Sequence, residues 1–201
     1  MNEREALGRM QFFAPASAVP GLDTPDAELE SPFEMLQACH ERVDRMLMLL
    51  AKLQRHLGHT GCDDAARRAA GDLLRYFDLA APLHHQDEEL HVFPTLMALP
   101  DPALHTLVQS LLQDHRAMQA AWPAARQVLR RLSEGPSQPG RPAPLPAGDC
   151  TQLAAFAGLY QAHMQAEENQ AYPAAQQAIS HASLLAMSAD MMQRRGVRPY
   201  R

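Results

Sequence analysis

Two stretches of this 201-residue chain carry the same pattern of side chains that could do chemistry. HHQDEELHVFP, residues 84–94, lies over HMQAEENQAYP, residues 163–173, so that H-x-x-x-E-E-x-x-x-[FY]-P occurs twice. Residues four apart on a helix share a face, so His84 with Glu88, and His163 with Glu167, can each aim two donor atoms at one point. Each copy also follows a lone histidine: His40 lies 44 residues before His84, and His115 lies 48 before His163. The chain therefore reads as one helix pair used twice.

Four imidazoles and two carboxylates without a thiolate suit iron, with manganese and zinc as the other candidates, and such sets can hold two ions inside a four-helix core. Two octahedral ions need about twelve bonds. Four histidines, two bridging carboxylates and one oxo or hydroxo bridge supply about ten, which leaves roughly one open position per ion for a small diatomic ligand. A single histidine in an apolar stripe is ordinarily a satisfied core residue. Six polar groups recurring in register are different, because burying them without a shared cation is costly. His85 with Glu89 is the competing pair, about 100° around the helix. Alignment on Pro94 and Pro173 selects His84 and Glu88, and assigns His85 a supporting or surface role. Glu89 and Glu168 are expected in solvent or as acceptors for ligand histidines, and His91 one turn on as a helix-end residue or a bonding partner. His56, His59, His105 and His181 fall off the pattern and read as surface. Cys39 precedes a ligand and reads as a small buried filler.

Helices must position these groups. At alternating steps of three and four, Phe33, Leu36, His40, Val43, Leu47 and Leu50 form one stripe, and Leu73, Phe77, Ala80, His84, Glu88 and His91 a second. Leu104, Val108, Leu111, His115, Met118, Trp122, Ala125, Leu129 and Leu132 form a third. Leu153, Phe156, Tyr160, His163, Glu167 and Gln170 form the fourth, with Asp149 as candidate N-cap. Joined by mostly short turns, these stripes predict an all-α, up-down-up-down four-helix bundle. Pro82, inside the second, is expected to kink it just before the site. Residues 1–32 hold four prolines and read as an irregular arm, residues 33–175 as the bundle, and 176–201 as a C-terminal helix and tail. The Met-rich helix in that tail is expected as a fifth helix on the bundle or as a homodimer contact. Five prolines within residues 135–148 make a semi-rigid linker.

Composition narrows the function. Eighteen basic against 23 acidic residues, with no dense basic block, disfavours nucleic acid. No stretch reaches the roughly 18 apolar residues of a membrane span, the N-terminus lacks a signal-peptide pattern, and three scattered cysteines suit a reducing compartment, so a cytoplasmic protein is expected.

Taken together, ACHERVDRML, HHQDEELHVFP, DHRAMQ and HMQAEENQAYP resemble the hemerythrin-like (HHE cation-binding) domain over roughly residues 33–175. The resemblance implies a non-haem di-iron site with His40, His84, Glu88, His115, His163 and Glu167 as ligands, the two glutamates bridging. It is closer to the bacterial branch that repairs iron centres than to the oxygen carriers, whose third helix has a second histidine where this chain has Gln119. The implied functions are binding of or reaction with dioxygen or nitric oxide, as sensor, scavenger or store, or an enzyme-like donation of iron to damaged centres.

Overall fold

The computed structural model describes residues 32–196, and all regular structure among them is helical. Apart from Pro32, the expected N-terminal arm lies outside the described residues. Helix α1 spans Pro32–His59, α2 residues 64–97, α3 Pro102–Glu134, α4 residues 147–178 with a turn at Gly158 and Leu159, and α5 His181–Arg194. Asp63 caps α2 by accepting from the Ala66 amide at 2.8 Å, and Asp101 caps α3 by accepting from the Ala103 amide at 2.8 Å. Helix α4 departs from the expectation. It starts at Ala147, and Asp149 sits inside its first turn, where the carboxylate meets the positive helix end and pairs with Arg131 at 2.7 Å.

Helices α2 and α4 are not α-helical throughout. Each widens into a π-turn just after the site's histidine, at Glu88–Val92 and at Glu167–Ala171, and α2 has another at Tyr76–Ala80. In every case a proline follows two residues beyond the turn: Pro82, Pro94 and Pro173. A proline inside a helix has no N–H to donate and presses its ring on the carbonyl four residues back. An i→i−5 bond relieves both demands. The Phe93 amide reaches the Glu88 carbonyl and the Tyr172 amide reaches the Glu167 carbonyl. Pro82 is accommodated in the same way.

The apolar stripes build two clusters with the polar layer between them. Along α1, Phe33 and Leu36 belong to one cluster and Val43 and Leu50 to the other, with His40 in between. Along α2 the order reverses, Phe77 and Ala81 on one side of His84 and Val92 and Leu96 on the other. It reverses again for α3 about His115 and for α4 about His163 and Glu167. That alternation is the up-down-up-down bundle. Helix α5 covers one end, with Met187 and Met191 fully buried in the Phe33 cluster and Leu185 left exposed. The proline-rich segment is docked on the α1–α2 turn: the amides of Gln138, Gly140 and Ala143 donate to the carbonyls of Cys62, Thr60 and Leu57. Gly61, at φ +91°, lets that segment approach, since a Cβ there would lie 2.0 Å from the Arg141 carbonyl oxygen.

Candidate metal centre

Each helix of the bundle delivers its part of the polar layer: His40 from α1, His84 and Glu88 from α2, His115 from α3, His163 and Glu167 from α4. All six are buried, the two glutamates completely. The glutamates lie between the histidines. Glu88 turns Oε1 toward His84 Nε2 at 3.4 Å and Oε2 toward His115 Nε2 at 3.5 Å. Glu167 turns Oε2 toward His40 Nε2 at 3.1 Å and Oε1 toward His163 Nε2 at 3.2 Å. Donor atoms of His40, His84, Glu88 and Glu167 all fall within 4.8 Å of one another, and so do those of His85, His115 and His163.

The chemistry of these donors fits metal cations. Glu88 Oε2, both oxygens of Glu167, His115 Nε2 and His163 Nε2 are buried with no hydrogen-bond partner, although they face one another closely. Buried polar atoms are almost always satisfied, and five converging exceptions are accounted for by cations that they share.

Further carboxylates hold the rings from behind. Glu168 accepts from His40 Nδ1 at 2.9 Å, Glu89 accepts from His115 Nδ1 at 2.9 Å, and Asp114 lies 3.4 Å from His163 Nδ1. A proton fixed on Nδ1 leaves Nε2 directed into the layer, the usual tuning of a metal-binding histidine. The adjacent glutamates thus divide their work: the side chains of Glu88 and Glu167 are 0% exposed, those of Glu89 and Glu168 45% and 43%.

Charge is balanced within the layer. Burial disfavours the charged form of His115, yet its contacts with Glu167, Glu88 and Glu89 outweigh burial and push its pKa up to about 10. His40 is raised for the same reasons, burial being overcome by Glu167. Burial also disfavours the Glu88 carboxylate, but the surrounding imidazoles, His84 first, hold its pKa well below the usual range. His84 goes the other way, lowered by burial.

Three features lie beyond the six residues. His85 stacks on His115, ring centroids 3.9 Å apart, and borders the site; burial and then the charge on His115 push its pKa down to about 3. Its position 100° from His84 on the helix had hidden this. Tyr172 stacks on His40 with centroids 5.5 Å apart, donates its hydroxyl hydrogen to Glu88 Oε1, and sits 3.1 Å from His40 Nε2. Its only sequence signal was a Tyr where the first copy has Phe. Asp87, fully buried, pairs with Arg194 at 2.8 Å and with Arg195, so these two arginines are spent inside the fold. His91 lies apart from the site and ties α2 to α5 through Asp190 at 2.7 Å.

A cleft of about 380 Å³ opens beside the His115 side of the layer. Phe77, Pro82, Leu112, Met118 and Trp122 give it apolar walls, and His85 stands where it meets the site. No helix among the described residues is long and apolar enough to cross a membrane.

A curated protein of Haemophilus influenzae, described only as uncharacterized, is 37% identical over 106 residues, a stretch that covers 53% of this chain and 61% of that protein. The chain thus spans about three fifths of that relative's length. The hemerythrin HHE cation-binding domain matches residues 31–175, the four-helix bundle with its whole polar layer. That match takes in every helix that contributes a histidine or glutamate to the layer, and the chain belongs to the hemerythrin HHE cation-binding domain family.

Proposed function

We propose that the polar layer holds two iron ions and that the protein takes up or reacts with a small diatomic molecule, dioxygen or nitric oxide, as a sensor, scavenger or store. The observation that carries this reading is the set of unpartnered buried donor atoms of Glu88, His115, His163 and Glu167. His40 and His84 would hold one ion, His115 and His163 the other, and Glu88 and Glu167, which already face both pairs, would bridge. His85, beside His115 and His163, is a further donor for the second ion. Bound there, reduced iron supplies electrons and a coordination position for the diatomic. The chain's own residues supply the rest. Glu89 and Glu168 orient imidazoles, the two apolar clusters exclude water, and the cleft, walled by Phe77, Leu112 and Trp122 alongside Glu89 and Arg116, gives a small diatomic a route to the His115 side.

The test is anaerobic reconstitution with ferrous iron followed by elemental analysis and separate exposures to nitric oxide and to dioxygen. About two ions per chain are expected, with an optical change on adding the gas that tracks the iron content. Less than about half an equivalent of any transition metal would sink the reading. Two tightly held ions whose spectrum ignores both gases would keep the metal site and remove the diatomic function.

A further inference from the structure

We propose that Tyr172 is itself a metal ligand, its phenolate oxygen completing the coordination of the ion on the His40 and His84 side; this rests on the two-ion reading above. The hydroxyl touches two donor atoms of that side at once, His40 Nε2 at 3.1 Å and Glu88 Oε1 by hydrogen bond. First-row ions with bonds of about 2.0–2.2 Å place neighbouring ligands of one octahedron about 3 Å apart. The phenol oxygen thus already stands at the spacing of a ligand adjacent to His40, on the inner side of the layer. Tyr172 is 1% exposed, and both of its recorded polar partners belong to the donor set. Once His40 Nε2 gives its lone pair to a metal, that nitrogen can no longer accept from the phenol.

The repeat supplies an internal control. Phe93 occupies the corresponding place in the first copy, buried against His115 with ring centroids 5.5 Å apart. Ring packing alone is therefore met by phenylalanine, and the hydroxyl is the chemical difference between the halves at this position. Coordination exchanges the phenolic O–H bond for an oxygen–metal bond, and the proton leaves to solvent. With two imidazoles, two carboxylate oxygens and a shared solvent-derived bridge, the phenolate brings that ion to about six bonds. The last position lies on the His115 side, where the cleft meets the site and where His85 and an incoming diatomic would compete for it.

The test uses the ferric-loaded full chain. A phenolate bound to ferric iron gives a broad visible charge-transfer band and tyrosine ring modes in resonance Raman scattering. The wild type should show both, and ring-deuterated tyrosine should shift the modes. Tyr172→Phe should lose the band while retaining most of its iron, whereas Tyr160→Phe, on the cleft wall, should keep it. Loaded wild type without a phenolate band, or a band that survives in Tyr172→Phe, would overturn the proposal and leave Tyr172 as a hydrogen-bond donor to Glu88. Failure of the wild type to bind iron at all would overturn the two-ion reading, and this inference with it. The isotope shift reads the wild type directly, so the outcome does not depend on the variant's folding.

Discussion

In the half built from α1 and α2, His40 and the pair His84 and Glu88 line the layer; in the half built from α3 and α4, His115 and the pair His163 and Glu167 do the same. Positioning devices recur in both halves, down to the π-turn that begins at each glutamate and the proline two residues beyond it. They are also exchanged. His40 of the first half is oriented by Glu168 of the second, and His115 of the second by Glu89 of the first, both at 2.9 Å. Neither half can complete its own site, so the pairing is as much a condition of the chemistry as of the fold. The two motifs differ at six aligned positions, and three of these breaks bear on the layer and its surroundings: His85 against Met164, Asp87 against Ala166, and Phe93 against Tyr172. Each break changes what surrounds one side of the layer, respectively its donor set near the cleft, its tie to α5, and its oxygen ligation.

The largest expected effect tests the shared part. Glu88→Ala and Glu167→Ala should each abolish stable binding of two ions and do so equally, because each side chain faces both histidine pairs. Glu89→Ala and Glu168→Ala act only through the ring they orient and should weaken metal affinity by about 10–100-fold. Metal per chain against a chelator series reads both. If the second glutamates prove the more damaging, His85 and Glu89 form the inward pair.

Next comes the tie to α5. Asp87→Ala leaves Arg195, 14% exposed, facing a buried position without its counter-charge, and leaves Arg194, 15% exposed, with Asp190 at 2.7 Å as its remaining carboxylate. Loss of one partner of a buried ion pair costs about 3 kcal/mol, which urea unfolding should show. Ala166 fills the same place in the other half, so metal content of the folded variant should hold. Metal loss without loss of stability would move Asp87 from the fold into the site.

These contrasts mark how far the residues speak for themselves. The helices and six inward donors were readable because burial on a helix recurs at steps of three and four, and because two copies of H-x-x-x-E align on their prolines. The π-turns were written in those prolines, yet a periodicity count assumes 3.6 residues per turn throughout and passes over a local widening. His85 received a supporting or surface role from the alignment on Pro94 and Pro173, since nothing in one helix tells that a ring off the seam will lean onto His115 of another. Tyr172 showed in the sequence only as a Tyr where the first copy has Phe, because sequence gives the ring and not the direction of its hydroxyl. Asp87 carried no signal of its pairing, because Arg194 and Arg195 lie more than a hundred residues away along the chain and such charges are ordinarily exposed.

A smaller effect should separate the two ions. His85→Met gives the first half the residue that the second half has at Met164. If His85 donates beside His115 and His163, one ion should leave to a chelator roughly tenfold faster than in the wild type while the other leaves at the wild-type rate. Uniform release of both ions, at unchanged rates, would remove His85 from the donor set and leave it a stacking partner for His115.

The smallest concerns how the paired helices begin. Helix α2 opens on a side-chain cap, Asp63, whereas α4 opens at Pro146 with none. Asp63 Oδ1 accepts from the Ala66 amide at 2.8 Å and lies 3.0 Å from His56 Nε2. Burial would raise this carboxyl's pKa, but the bonds from Ala66 and His56 prevail and hold it below the usual range. Replacing such a cap by alanine costs about 1 kcal/mol, so Asp63→Ala should unfold at lower urea at neutral pH. The sign with pH follows from the depressed value. A carboxylate held down in the folded state stabilises fully above its unfolded pKa, near 3.9, and loses that contribution as pH falls through its folded one. The gap between wild type and variant should therefore stay constant from about pH 7 to 5 and narrow below about pH 4. A gap that persists undiminished in acid would show that Asp63 acts through packing at the α1–α2 turn. In that case α2 would start, like α4, without help from a charged cap, and the two halves would begin alike after all.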